Sequence, residues 1–345
     1  MSITALRRPP SVAIHPTREN ASKLRMATAV AMMVLGLSFM GLTVVFNLFH
    51  VSSAFESLTG GFRPVMTQQS VTTARHDIAA LSAASTEYQA TVIPTLAAQL
   101  NVTPAQLTWL TGQQYPAVAK GMTDLPTMVP EFTKLISTID QQRPLFRSAD
   151  AIPTKNQPAT TMPWMLLVVG AGVFALGAYT WFAPRRGAEI AIVVGMLLLG
   201  SPFLLSLPQK AADADQMNSN LQPVYTQQLI NNAHAGLTTL GAMGTQMQTK
   251  MLPDLAKQLK MQPAQLQAFM DQTFPATATS LADMPAAMSR FQNLVTVFQQ
   301  HLKDYEVLKP VSLVPVVWFM IVGGGLLLLL GGGDLFLTRS RYLAR

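Results

Sequence analysis

Four runs of apolar residues, at 26–48, 162–183, 188–207 and 311–334, interrupt a chain whose other long stretches alternate apolar and polar positions at helical spacing. Each run has the roughly 20 residues that a helix needs to cross the ~30 Å hydrocarbon layer of a bilayer. No charged side chain lies in the central part of any run, and Glu189 and Asp334 sit at their ends. Helices buried in a large soluble core rarely stay free of charge for so long, so the pattern predicts four transmembrane helices.

The stretches between the spans carry a different period. Val71, Ala74, Ile78, Leu81, Ser85, Tyr88 and Val92 follow one another at alternating steps of three and four, and so do Ile230, Ala233, Leu237, Leu240, Gly244, Met247 and Met251. That is a packed seam along a long helix. A second such helix carries Val129, Phe132, Ile136 and Ile139, with Met288, Phe291, Val295 and Phe298 as its counterpart, continued by Leu302 and Tyr305. Short helices broken by Pro94, Pro104 and Pro116 lie between them. Thr103-Pro104-Ala105-Gln106 reads as a capping box with proline at the first helical position. Gln262 replaces the threonine in the counterpart, which predicts a weaker cap there.

The counterparts are related by one offset. Adding 159 carries Pro64 to Pro223, Gln68-Gln69 to Gln227-Gln228, Pro116 to Pro275 and Phe132 to Phe291, and 27 of the 72 positions from 64 to 135 are identical without a gap. The register reaches the spans, where Gly36 and Gly41 meet Gly195 and Gly200. The repeated unit is therefore span, helical segment, span. Each copy starts on the same side of the membrane, so the expected symmetry is a pseudo-two-fold axis along the membrane normal. The fold class read from the chain is an all-α integral membrane protein, four transmembrane helices with two tandemly duplicated helical extracytoplasmic domains at 49–161 and 208–310. A basic tail at 1–25, a turn at 184–187 and a second basic tail at 335–345 complete the organisation.

Composition and charge agree with this and sharpen it. The chain has 345 residues, 49% hydrophobic and 12% charged, which is too apolar for an ordinary soluble domain. Its net charge of +7 suggests nucleic acid until it is divided by segment. Residues 50–161 hold seven Lys or Arg and seven Asp or Glu, and residues 208–310 again hold seven of each. The excess lies in Arg7, Arg8, Arg18, Lys23 and Arg25, in Arg185 and Arg186, and in Arg339, Arg341 and Arg345. This is the positive-inside pattern, which places both termini and the 184–187 turn in the cytoplasm, and both long segments outside a plasma (inner) membrane. The basic ends favour anionic membrane lipids, and no nucleic-acid partner is needed. The first span is longer than a signal-peptide core and reads as a retained anchor. There is no cysteine, so packing alone holds the long segments together.

Catalytic chemistry is sparse. His15, His50, His76, His234 and His301 are scattered without ligand spacing, and no nucleophile elbow or phosphate-binding loop occurs. The glycine runs sit inside spans, where they serve close helix packing. The reading is therefore no enzyme, no cofactor and no metal. Recurrent Gln68, Gln69, Gln99 and Gln113 belong to helix surfaces or interhelical hydrogen bonds. The expected function is an accessory or scaffold subunit of the cell envelope, docking another membrane or envelope protein through its duplicated helical segments. The alternative is a module that binds or transports a lipid or other apolar ligand in the cleft between the halves. Trp109, Tyr115, Phe269 and Phe274, at the tips of the helical segments, are the candidate contact residues for either.

Overall fold

In the computed structural model residues 18–154 and 157–342 are described, with the backbone alone at 18–21 and 337–342. His15 and most of the basic tail residues, Arg7, Arg8, Arg18, Arg339, Arg341 and Arg345, thus lie outside the described side chains. In chain order the helices are α1 (Arg18–Val45), α2 (Leu48–Phe62), α3 (Gln68–Glu87), α4 (Ile93–Gln99), α5 (Pro104–Gln114), α6 (Pro116–Ala149), α7 (Thr161–Phe182) and α8 (Pro184–Leu204). They continue as α9 (Leu207–Leu221), α10 (Gln227–Gln246), α11 (Leu252–Gln258), α12 (Pro263–Thr273), α13 (Pro275–Gln300), α14 (Leu302–Leu308) and α15 (Val314–Tyr342). Among the described residues there is no strand. Both ends of α3, α4 and α5 lie 159 residues before those of α10, α11 and α12. The same offset relates two single wide turns, Tyr88–Val92 and Met247–Met251, and the left-handed residues Asn47 and Ser206, and Asn101 and Lys260.

The chain divides into a membrane unit, residues up to His50, Thr160–Pro208 and from Val314, and a loop unit, Val51–Ala159 and Gln209–Leu313. The membrane unit holds the four helices long and apolar enough to span a membrane, Ser22–Val45, Thr161–Phe182, Pro184–Leu204 and Val314–Phe336. Among the described residues these four helices stand where the sequence placed its spans, with ends displaced by a few residues. The turn expected at 184–187 is tighter. Ala183 alone separates α7 from α8, because Pro184 can occupy the first helical position, where its missing N–H costs nothing. Gly187 lets the two helices fold back, since a Cβ there would stand 2.3 Å from Thr180 Cγ2.

Within this unit α1 packs along α7 and α8 along α15. The backbones meet at glycines. A Cβ on Gly36 would lie 2.6 Å from the Gly170 carbonyl oxygen, and one on Gly195 would lie 2.9 Å from that of Gly324. Small residues are what lets helices approach this closely where lipid offers no hydrophobic drive for association. Gly41 and Gly200, in the same register, face open space. Phe39, Met32 and Leu327 are fully buried between the helices, and Phe39 meets Phe319 edge to face at 4.9 Å.

In the loop unit the two seams do not each close on their own copy. Helix α3 packs on both α6 and α13, and α10 packs on the same two, so the four long helices form one ring around a shared core. Tyr88, Val92, Val118 and Leu125 from the first segment are buried with Leu240, Met243, Phe274 and Leu281 from the second. The sequence reading treated 49–161 and 208–310 as separate bundles; Val51–Ala159 and Gln209–Leu313 instead build one compact unit. Phe132 and Phe291, counterparts in the repeat, face each other at 5.4 Å, Phe132 buried and Phe291 half-buried.

Polar contacts also cross between the segments. Glu87 on α3 accepts from the first N–H groups of α13, Ala276 at 3.4 Å and Thr277 at 2.6 Å. Gln246, which is 159 residues further on, accepts from the first N–H groups of α6, Ala117 at 2.8 Å and Val118 at 3.1 Å. Each segment thus supplies the missing partners for the start of the other's long helix. Arg290 clamps Asp77 with two hydrogen bonds of 2.8 and 2.7 Å, and Ser280 donates to the Ala80 carbonyl at 2.8 Å. Helix α6 starts thirteen residues before the expected seam residue Val129 and runs through Pro126, Pro130 and Pro144, its length sustained by this packing.

Candidate functional site

The four aromatic residues proposed from sequence sit on related elements but have unequal surroundings. Trp109 lies in the middle of α5, a helix started by the expected capping box: Gln106 N–H donates to Thr103 Oγ1 at 3.2 Å, and Thr103 N–H to Gln106 Oε1 at 2.9 Å. Its side chain is 64% exposed, and the neighbouring Leu110 is 36% exposed. On α12, Gln262 N–H still donates to Gln265 Oε1, at 2.8 Å. There Ala268 stands at the position corresponding to Trp109, and Phe269, corresponding to Leu110, is half-buried against the core.

Tyr115 and Phe274 end these short helices just before a proline, and there they part. Phe274 is 2% exposed and meets Phe269 edge to face at 5.5 Å, so it is a core residue and presents nothing to a partner. Tyr115 is half-buried and donates its hydroxyl to Asp254 Oδ2 at 3.1 Å, linking the first segment to α11 of the second. Burial, and then the bond to the Asp254 carboxylate, raises the Tyr115 pKa above its ordinary value. Of the four, Trp109 alone is a large exposed aromatic surface.

One polar cluster was not legible as such in the sequence. His301 Nδ1 lies 3.0 Å from Asp304 Oδ2 and 3.3 Å from Ser57 Oγ, and Ser57 donates to Asp304 Oδ2 at 2.7 Å. His301 therefore has a carboxylate partner, where the sequence reading found the histidines scattered without ligand spacing. The spacing of three residues on a helix was the available signal; Ser57, 244 positions away, left none. The arrangement is not a nucleophilic relay. Serine and aspartate share one ring nitrogen, and the other, Nε2, is pressed against α2, where a Cβ on Gly61 would come within 2.0 Å. A working triad needs its serine and its carboxylate on opposite ring nitrogens and an open face for substrate. This cluster fastens α2 to the start of α14, next to the rings of Phe62, Tyr225 and Phe298.

Tyr225 and Tyr305 belong to this framework, and Tyr88 to the shared core. Tyr225 donates to the Phe298 carbonyl at 2.7 Å, and Tyr305 to that of Asn218 at 3.1 Å. Burial pushes the Tyr88 and Tyr305 hydroxyls up to about 12, and burial raises Tyr225 as well. Among the described residues no group of three or more His, Asp or Glu is placed to hold a metal ion.

Cavities between the segments are small. One of about 50 Å³ lies among Ile78, Leu81, Phe132, Leu240, Met284 and Phe291, and one of about 90 Å³ beside Tyr115, Leu110 and Met251. Sites for drug-sized ligands run to roughly 300–1,000 Å³. Comparison of the chain with protein-family models, with curated proteins and with solved structures finds no match.

Proposed function

We propose that this chain is a non-enzymatic scaffold subunit of a plasma (inner) membrane. In this reading a duplicated span, helical segment and span unit holds one interlocked helical body outside the cell membrane, with both termini and the Ala183 turn in the cytoplasm. The basic residues around the spans, the neutral long segments and the recurrence of helix boundaries at one offset support it. The observation that carries the docking role is the exposed Trp109. A tryptophan that is 64% solvent-accessible, beside an exposed leucine and on a well-capped helix, is the residue type and setting of an interface anchor. The partner is another membrane or envelope protein, and the contact is one-sided, because Ala268 takes the same place in the second segment. The lipid-cleft alternative loses ground to cavity size, since about 50–90 Å³ holds no acyl chain.

Two experiments test the proposal on the full chain in its membrane. A photocrosslinking residue at Trp109 is expected to capture one protein species, and the same residue at Ala268 none. Equal capture from both positions, or capture from 268 alone, would overturn the one-sided contact. For orientation, cysteines at Gly60 and Ser219 are expected to react with an impermeant thiol reagent on intact cells, and one at Arg186 only after permeabilisation. Gly60 serves better than its neighbour Gly61, which faces the His301 ring. Labelling in the reverse sense would sink the topology.

A further inference from the structure

We infer that the loop unit carries a binding site for one small neutral alcohol or ketone, in the cavity of about 90 Å³ where α4 and α5 of the first segment meet α11 of the second. That volume is roughly the share of three water molecules, room for an apolar body of about four carbons with one polar atom. Tyr88, Leu96 and Thr111 are its buried wall residues, and Leu110, Gln114 and Gln258 are its exposed ones. Each of the two wide turns gives a wall residue, Tyr88 from the start of one and Met251 from the end of the other. Such turns recur at functional sites.

The hydroxyl of Tyr88 gives the site its chemistry. Tyr88 is 7% exposed, yet among the described residues its hydroxyl has no hydrogen-bond partner, whereas those of Tyr115, Tyr225 and Tyr305 each donate to an oxygen. Burial alone raises the Tyr88 pKa, with no hydrogen bond contributing, so the hydroxyl keeps its proton and can donate it. Buried polar groups in native proteins are nearly always hydrogen-bonded, so the group this phenol would recognise is an acceptor oxygen on an otherwise apolar molecule. No charged side chain lines the cavity, which argues against an ion.

The second segment packs the corresponding positions with its own side chains. Phe269 stands for Leu110, Met270 for Thr111 and Phe274 for Tyr115. The two rings meet edge to face at 5.5 Å, and Met270 and Phe274 are 7% and 2% exposed. In the first segment Tyr115 turns its hydroxyl to Asp254 instead, and the shorter Leu110 and Thr111 stand beside the cavity. The site thus belongs to one copy of the repeat.

Methyl NMR of the full chain in mild detergent, with its methionine methyls isotopically labelled, tests this with isobutanol as the probe. Met251 lines the cavity, and its signal is assigned by its loss in Met251→Leu. Isobutanol in the millimolar range is expected to shift the Met251 signal along a saturating curve. Thr111→Met, which copies Met270 into the first segment, is expected to abolish that shift. Tyr88→Phe is expected to weaken binding about fivefold, the worth of one neutral hydrogen bond. A single cooperative thermal transition certifies the fold of each variant, and Leu110→Phe, which copies Phe269, replaces Thr111→Met if that chain does not fold. A Met251 signal that moves only linearly, in step with the other methionines, would overturn the site, as would unchanged saturation in the filled variant. Binding undiminished in Tyr88→Phe would overturn the role of the hydroxyl and with it the class of ligand.

Discussion

The two units use glycine in opposite ways. In the membrane unit Gly36 and Gly195 bring backbone against backbone: the nearest obstacles to any side chain are the Phe174 nitrogen and the Gly170 carbonyl at the first, and the Gly324 carbonyl at the second. In the loop unit Gly121 and Gly244 receive methionines, and a Cβ at either would meet the sulfur of Met243 or Met284 at 2.4 or 2.3 Å. A carbonyl in a helix cannot move without its helix, whereas the end of a methionine rotates readily. The membrane pairs therefore depend on shape at the level of the main chain, and the loop unit depends on side chains that can refit. Helices apolar enough to lie in lipid would gain no hydrophobic force from it, so close contact suits them. The loop unit closes instead on a methionine-filled seam.

The largest expected effect probes how far the loop unit is one body. Phe132→Ala should cost ~3–5 kcal/mol, and the loop unit should unfold in a single transition that releases both segments. Hydrogen exchange of the purified chain reports this; protection that persists in α10 and α13 after α3 and α6 have opened would restore independent domains.

Alkaline titration examines the same loop unit at two places. For Tyr88 and Tyr305 the folded pKa of about 12 stands above the ordinary value of 10, so the neutral form is the one the fold favours. The stabilisation is full below pH 10 and is lost as pH rises from 10 toward 12. Circular dichroism should show loop-unit unfolding begin above pH 10, and Tyr88→Phe should move the midpoint upward. A midpoint unmoved in that variant would remove Tyr88 from the account.

The glycine contrast predicts the next step down. Gly36→Ala should destabilise the α1 and α7 pair by roughly 1–3 kcal/mol, while Gly41→Ala, which faces open space, should change little. Gly244→Ala should cost less than Gly36→Ala, because Met284 can turn aside. Thermal unfolding in detergent ranks the three, and a larger loss at Gly244 than at Gly36 would break the comparison.

The crossed caps give the smallest effect. Glu87→Ala should cost about 1 kcal/mol, as removal of a helix cap does, and Gln246→Glu should add a few tenths by placing a charge at the start of α6. Denaturant midpoints measure both, and stabilisation by Glu87→Ala would rule out its capping role.

Much of this was legible in the sequence, and for definite reasons. Helix boundaries follow local signals: Thr67 and Thr226 cap α3 and α10, and Pro104, Pro116, Pro263 and Pro275 open the helices they begin. The spans follow from length and hydropathy. Tyr115 and Phe274, equivalent in sequence, came apart because a hydroxyl with Asp254 in reach can stay near the surface and a bare ring cannot. The His301 cluster was half visible, through Asp304 three residues on, and half invisible, through Ser57.

What the sequence by itself determined is the list of elements and the face each one buries. The spans, the seams along α3 and α10 and the 159-residue register all follow from short-range spacing. Which seam closes on which was decided only in three dimensions. Two copies of one seam present nearly the same apolar surface, so α6 can satisfy α3 or α10 equally well by pattern, and periodicity carries no term that distinguishes them. The distinction lies in contacts between 129 and 213 residues apart in number, Glu87 on the start of α13, Gln246 on the start of α6 and Asp77 on Arg290, whose partners share no local signal. Those contacts exist only once the chain has returned through the membrane unit and the two segments stand side by side.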